Sequence, residues 1–160
     1  MTQRVIAHDI VGAHDADMTN TDTTTNTTTT TGGNADTDPL SATVDTHLAA
    51  YCEPDPARRA DLIASVWSAQ GAVFDPPFEG SGRDGISAMT DTVLTHFPGH
   101  TFRRTSEIDA HHVFGRYSWE LVAPDGATAV TGTDIVEVDE DGQLSRIIGF
   151  FGDVSPLPST

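Results

Sequence analysis

The chain has 160 residues, a length typical of one domain with an appendage rather than of two domains with separate cores. Acidic residues number 24 and basic residues 8, which gives a formal net charge of −16, and every basic residue is an arginine. Such a charge repels phosphate backbones and anionic lipid headgroups, so the sequence predicts binding to neither nucleic acid nor membrane. A small molecule or a protein is the expected partner.

The composition also indicates where the protein works. Carboxylates without lysine suit a surface that must stay hydrated in strong salt, so we expect a halophilic source; a melting temperature unchanged from very low to molar salt would contradict this. Cys52 is the single cysteine and forms no internal disulfide, and no segment approaches the roughly 18 apolar residues of a membrane span. Residues 5–11 lack the continuous apolar run of a signal peptide, so we expect a cytoplasmic location.

The chain changes character near Pro39. Residues 1–38 are rich in threonine and aspartate and contain too few apolar side chains to offset the entropy of ordering. We therefore expect a disordered tail over 1–38, a folded domain over 39–155 and a short C-terminal tail over 156–160.

Three helices and one short strand are predicted in the first half of the domain. Leu40, Val44, Leu48 and Tyr51 share one face of a first helix, which ends before Pro54. A second helix carries its apolar face from Ala60 to Trp67, and a strand over 72–75 stops at two prolines. The third helix starts near Asp84 and is closed by Pro98-Gly99.

After Gly99 the hydrophobic period changes from helical to two, the period of a strand. Strands are predicted at about 101–108, 111–122, 127–139 and 143–151, with hairpin turns at 124–126 and 140–142. Helices followed by a meander predict an α+β fold, with the helices on one face of a mostly antiparallel sheet.

Strand alternation divides the side chains into two faces. The predicted inward set of the 111–122 strand is His111, Val113, Gly115, Tyr117, Trp119 and Leu121. Neighbouring strand residues point to opposite sides, so His111 and His112 are not expected to ligate one metal, and no metal site is predicted.

Two aspartates and one histidine fall on or beside apolar faces. Asp134 lies among inward valines, where a carboxylate must be hydrogen-bonded, neutralised by a raised pKa, or placed in a polar cavity; a register slip into solvent is the alternative. Asp75 ends a strand, where it is either a turn carboxylate or part of a site. His47 lies beside Leu48 and reads as either a core residue or a catalytic one.

The chain resembles the nuclear transport factor 2-like superfamily, in its SnoaL-like and ketosteroid isomerase-like branch. The resemblance is carried by residues 59–67, 71–76, 82–86, 132–134 and 141–152. It implies three N-terminal helices and a curled sheet that form a cone, a ligand pocket at the wide end and a homodimer packed through the sheet.

The resemblance also implies roles for individual residues. Asp75, followed by Pro76, matches the general base of ketosteroid isomerases, and Asp134 matches the protonated aspartate that donates to the developing oxyanion. His47 and Tyr51 lie nearest to the tyrosine that the family carries in its first helix. Cyclases and dehydratases of this fold use a pocket aspartate or histidine, and His111 is the candidate for that role.

The resulting expectation is a cofactor-free isomerase, cyclase or dehydratase that transfers protons on a hydrophobic carbonyl compound. Tyr117, Trp119 and Phe150 are the expected pocket wall. The alternatives are a non-catalytic member of the same superfamily, which binds a ligand or protein partner, and a scaffold that dimerises through outer-face residues such as Arg116 and Glu120. Convergence of Asp75, His111 and Asp134 on one cavity would favour the enzyme.

Overall fold

Two of the three helices begin at a proline, where the missing N–H removes no helical hydrogen bond. The structure is a computed structural model that describes residues 38–158. The helices are α1 (Pro39–Tyr51), α2 (Pro56–Val66) and α3 (Gly82–His96). Asp55 caps α2, because its carboxylate accepts the backbone N–H groups of Ala57 and Arg58. The predicted tail lies outside the described residues except for Asp38, and residues 156–158 of the predicted C-terminal tail are exposed coil.

The strands form one curled sheet. They are β1 (Trp67–Asp75), β2 (Phe78–Ser81), β3 (Thr101–Arg104), β4 (Asp109–His111), β5 (Phe114–Val122), β6 (Thr128–Val138) and β7 (Leu144–Phe151). The order is β2-β1-β7-β6-β5-β3, with β4 paired to β5, and every pairing is antiparallel except β1 with β7. The predicted α+β architecture is therefore confirmed.

The structure corrects several predicted strand boundaries. The first strand begins at Trp67 rather than at residue 72, and β2 follows it without having been predicted. The predicted strand over 111–122 is two strands, because the chain reverses at His112, whose φ is 54°. The strand expected over 101–108 ends at Arg104.

The core lies between the helices and the inner face of the sheet. Val44, Leu48, Ile63 and Ile86 of the helices are buried there against β1, β5, β6 and β7. One row of neighbouring residues crosses this face from β7 to β5, since Gly149 pairs with Asp134 and Asp134 pairs with Tyr117. Asp75 is placed next to this row by the pairing of Phe74 with Ile148.

Candidate active site

Asp134 is buried on the inner face of β6, as alternation predicts, with only 4% of its surface exposed. Both carboxylate oxygens have partners on β5. Oδ1 accepts the indole N–H of Trp119 at 2.6 Å, and Oδ2 is 2.7 Å from the Tyr117 hydroxyl. The cost of burying this acid is thus offset by two hydrogen bonds, which fix the carboxyl group firmly in the core.

The same contacts set the protonation of Asp134. Burial raises its pKa to about 6, although the hydrogen bonds from Tyr117 and Trp119 act to lower it. An indole nitrogen can only donate, so Oδ1 is an acceptor in either protonation state. Any proton that Asp134 carries therefore resides on Oδ2, facing Tyr117.

Asp75 ends β1 on the same side of the sheet, but its environment is different. Within the described residues, Oδ1 is fully buried and has no hydrogen-bond partner. Burial, aided by the charge of Asp134, raises the pKa of Asp75 to about 7, while the Gly149 N–H acts in the opposite direction. A carboxyl group with this pKa exchanges its proton readily at neutral pH.

Gly149 is what brings the two acids together. A Cβ at this position would lie 2.1 Å from Asp75 Oδ1 and 3.1 Å from Asp134 Oδ1, so the two oxygens are no farther apart than the sum of these distances. Only glycine leaves room for them. Gly149 was not predicted as a site residue, although a glycine inside the apolar run 147–151 is the signal of such a close approach.

Tyr51 reaches the acids from α1. Its hydroxyl is buried and has no partner among the described residues. Burial, with smaller effects from the charges of Asp75 and Asp134, raises the Tyr51 pKa well above its ordinary value, so the hydroxyl keeps its proton and can donate.

His47 supports this arrangement from one turn earlier in α1. Its ring packs edge-on against Tyr51, with centroids 4.4 Å apart, and Nδ1 accepts the Trp67 indole N–H at 3.2 Å. Burial lowers the His47 pKa to about 3, so the ring is neutral. Of the two interpretations left open by the sequence, these contacts favour a core residue that orients Tyr51.

The wall of the site is aromatic. Trp119 packs edge-on against Phe102 and Phe151, with ring centroids 5.4 and 5.5 Å away. Phe150, the expected wall residue, is 55% exposed on the outer face. A register irregularity between Leu144 and Arg146 shifts the alternation of β7 by one residue, so Phe151 faces inward in its place.

His111 does not join the acids. It belongs to β4, which folds back along β5, and its side chain is exposed beside His112 and Phe114. The prediction that the two histidines point apart is also wrong, because their Nδ1 atoms are 3.2 Å from each other at the turn. Across residues 38–158 no group of three or more His, Cys, Asp or Glu side chains is placed to hold a metal ion.

The site thus combines one buried donor, one buried acceptor and a second acid within aromatic walls. Solved structures share the fold that positions these residues. A SnoaL-like family protein from Agrobacterium tumefaciens, a candidate isomerase, is 34% identical over 72% of this chain and 98% of its own, with a TM-score of 0.68. This chain belongs to the SnoaL-like family.

More distant solved structures confirm the fold alone. An NTF2-like protein from Exiguobacterium is 19% identical over 70% of this chain and 99% of its own, with a TM-score of 0.57. A protein with a ketosteroid isomerase-like fold from Catenulispora acidiphila, solved with trimethylamine, is 12% identical over 68% of this chain and 83% of its own, with a TM-score of 0.54. No family model and no curated protein sequence matches the chain. In the described segment, no helix has the length and apolar character needed to cross a membrane.

Proposed function

We propose that this SnoaL-like protein is a cofactor-free acid/base enzyme that moves a proton on the carbon next to the carbonyl of a hydrophobic compound. The observation that carries the proposal is the pair of buried polar atoms without partners, the Tyr51 hydroxyl and Asp75 Oδ1. Buried polar groups are normally hydrogen-bonded, so two unpaired ones in a single site indicate atoms that await a ligand.

The two atoms complement a carbonyl compound. The Tyr51 hydroxyl is a donor and suits the carbonyl oxygen, while ionised Asp75 is an acceptor and suits the acidic C–H beside it. Asp75 takes this proton, the electron pair moves onto the carbonyl oxygen, and Tyr51 donates to the resulting enolate. Asp75 then returns the proton to the same or a conjugated carbon.

Asp134 has a second role in the proposed reaction. The family resemblance implies the donor position for Asp134, but Trp119 and Tyr117 already occupy its oxygens. Burial is the largest cause of the raised Asp75 pKa, and the charge of Asp134 raises it further. We therefore assign the donor position to Tyr51 and retain Asp134 as the second acid, which tunes the base.

A solvent deuterium exchange assay tests this function across a panel of ketones and cyclic enones. Wild type is expected to exchange the proton next to the carbonyl, while Asp75→Asn and Tyr51→Phe lose this activity and Asp134→Asn shifts its pH profile to lower pH. The exposed Asp61→Asn on α2 is the control. Equal exchange in all variants would leave the non-catalytic binding function, which the trimethylamine complex of the distant relative also supports.

A homodimer packed through the sheet is part of the proposal. Phe74, Ile148 and Ile135 are exposed on neighbouring strands of the outer face, with Phe150 beside them. Arg116 and Glu120, the charges expected to pair across the interface, have partners within the chain, in Asp109 and Arg103. Ile135→Arg should therefore lower the mass seen by light scattering, whereas Arg116→Ala should leave it unchanged.

The halophilic source and the cytoplasmic location stay predictions from the composition.

A further inference from the structure

A groove lies on the surface between α1 and β3, outside the acid site. Its volume is about 740 Å³, and its floor includes Leu48, Ala49 and Phe102. The rim carries Asp45, Arg103, Arg104 and Glu107, two positive and two negative side chains. In a chain with a net charge of −16, this locally balanced rim is a place where an uncharged ligand carrying polar groups can bind.

Phe102 separates the groove from the acid site by the thickness of one side chain. It is half-buried on β3 and lines the groove. Its ring also packs edge-on against Tyr51 and Trp119, with centroids 5.6 and 5.4 Å away. Tyr51 carries the unpaired hydroxyl, and Trp119 holds Asp134. Phe102 is thus a wall that both spaces share.

Asp75 Oδ1 and the Tyr51 hydroxyl are buried atoms and Asp134 is only 4% exposed, so a substrate reaches these groups only if a side chain moves. β3 is a four-residue edge strand with one neighbour in the sheet, β5. Two side-chain contacts attach it to α1 and to Cys52, the residue that follows α1. Cys52 Sγ accepts the Phe102 N–H at 3.1 Å, and Asp45 accepts two hydrogen bonds from the Arg104 guanidinium. These contacts place Phe102 firmly but leave its ring at the edge of the core.

We propose that Phe102 is the gate to the acid site and that the groove is a binding site for the distal part of an elongated, uncharged, amphipathic carbonyl compound. The carbonyl end passes the displaced Phe102 ring and meets Tyr51, while the apolar body stays on Leu48 and Ala49. This inference rests on the proposed function for the nature of the ligand. The path of entry past Phe102 is inferred from the geometry alone.

The path of entry is tested without any ligand, by hydrogen exchange of the two indole N–H groups followed by NMR. Trp119 Nε1–H bonds to Asp134 behind Phe102, and Trp67 Nε1–H bonds to His47 and serves as an internal reference. Phe102→Ala should speed exchange of Trp119 by about tenfold or more with little change at Trp67, because water enters only at the gate. Phe97→Ala, at a half-buried ring that packs against His100, should alter neither. If Trp119 exchange does not respond to Phe102→Ala, or both indoles respond equally, the gate is overturned.

The groove is tested with two phenols, 4-phenylphenol and phenol, whose binding is measured by calorimetry and NMR. Ala49→Trp fills the groove from an exposed position on α1. It should lower the affinity for 4-phenylphenol by about tenfold and leave the affinity for phenol unchanged, since only the longer compound occupies the groove. Ala64→Trp, at an exposed alanine on α2, is the matched control and should change neither affinity.

The two arms separate the two proposals. If 4-phenylphenol binds Ala49→Trp as tightly as wild type, the groove is overturned, even where carbonyl exchange activity persists. If neither phenol binds wild type, the groove as a ligand site is overturned as well, and the indole exchange still decides the gate. If carbonyl deuterium exchange is absent but Ala49→Trp selectively lowers the affinity for 4-phenylphenol, the proposed reaction is wrong and the groove remains a binding site.

Discussion

Arg59 and Asp75 are both ionisable residues that place polar atoms in the protein interior, but only Arg59 has hydrogen-bond partners for them. Arg59 has no exposed surface, and its guanidinium donates to the Glu53 carbonyl at 2.8 Å, to Ser87 Oγ at 3.3 Å and to Asp91. Asp75 Oδ1 has no partner among the described residues. A charge whose three nitrogens each have a hydrogen-bond partner joins the helices together, whereas an unpaired acceptor is a cost to stability that a function must account for.

Asp75→Asn should produce the largest effect, and this effect should fall on activity rather than on stability. Removing the base should lower carbonyl exchange by about a hundredfold or more. The free energy of unfolding should not fall, because asparagine removes the cost of a buried carboxylate and its amide oxygen can still accept from the Gly149 N–H. Carbonyl deuterium exchange and urea unfolding of the same samples check both statements. A loss of stability with normal deuterium exchange would show that Asp75 has a structural role and no catalytic one.

Arg59→Met should produce the largest loss of stability. It keeps the apolar stem but leaves the Glu53 carbonyl and Ser87 without their donor, so the free energy of unfolding should fall by about 3 kcal/mol. Arg58→Met, at a neighbouring arginine whose side chain is 75% exposed, is the control and should change it by less than about 0.5 kcal/mol. Equal effects at the two arginines, measured by urea unfolding, would show that the buried contacts contribute nothing special.

Gly149→Ala tests the close approach of the acids. The new Cβ would overlap Asp75 Oδ1, so we expect a loss of about 1–3 kcal/mol together with lost exchange activity. Gly85→Ala is the matched control, because its Cβ would lie at ordinary contact distances of 3.7 and 3.9 Å from Gly80 of β2. Gly85 is part of α3, where alanine favours the helix. A stable, active Gly149→Ala protein would mean that the acids do not meet there.

The pH dependence of stability should show a smaller difference. Because the pKa of Asp75 is raised to about 7 from 3.8, the folded state holds a proton that the unfolded chain has released, and stability from this group falls as pH rises between these values. The pKa of His47 is lowered to about 3, so below pH 6.5 the unfolded chain binds a proton that the folded state does not, and stability from this group rises with pH. Asp75→Asn removes only the first effect, so its stability relative to wild type should be higher at pH 8 than at pH 5. A pH-independent difference would contradict the raised pKa.

Alternation of apolar residues was enough to predict the inward faces of β5 and β6, and with them the burial of Asp134, Tyr117 and Trp119. It failed where the chain departs from a regular strand without a glycine or proline to mark it. The turn at His112 removed His111 from the site, and the irregularity after Leu144 exchanged Phe150 for Phe151. The meeting of Asp75 with Gly149 depends on a parallel pairing between distant strands, which no local pattern encodes.

The pKa of Asp75 decides whether this carboxyl group is the buried, unpaired base of the site. Carbon-13 NMR of the aspartate carboxyl groups follows each titration, and Asp75→Asn assigns the resonance. Asp75 should titrate near pH 7 and Asp134 near pH 6, as a coupled pair. Titration of Asp75 near the ordinary pH 3.8 would show a solvated carboxylate and contradict its role as the buried, unpaired base.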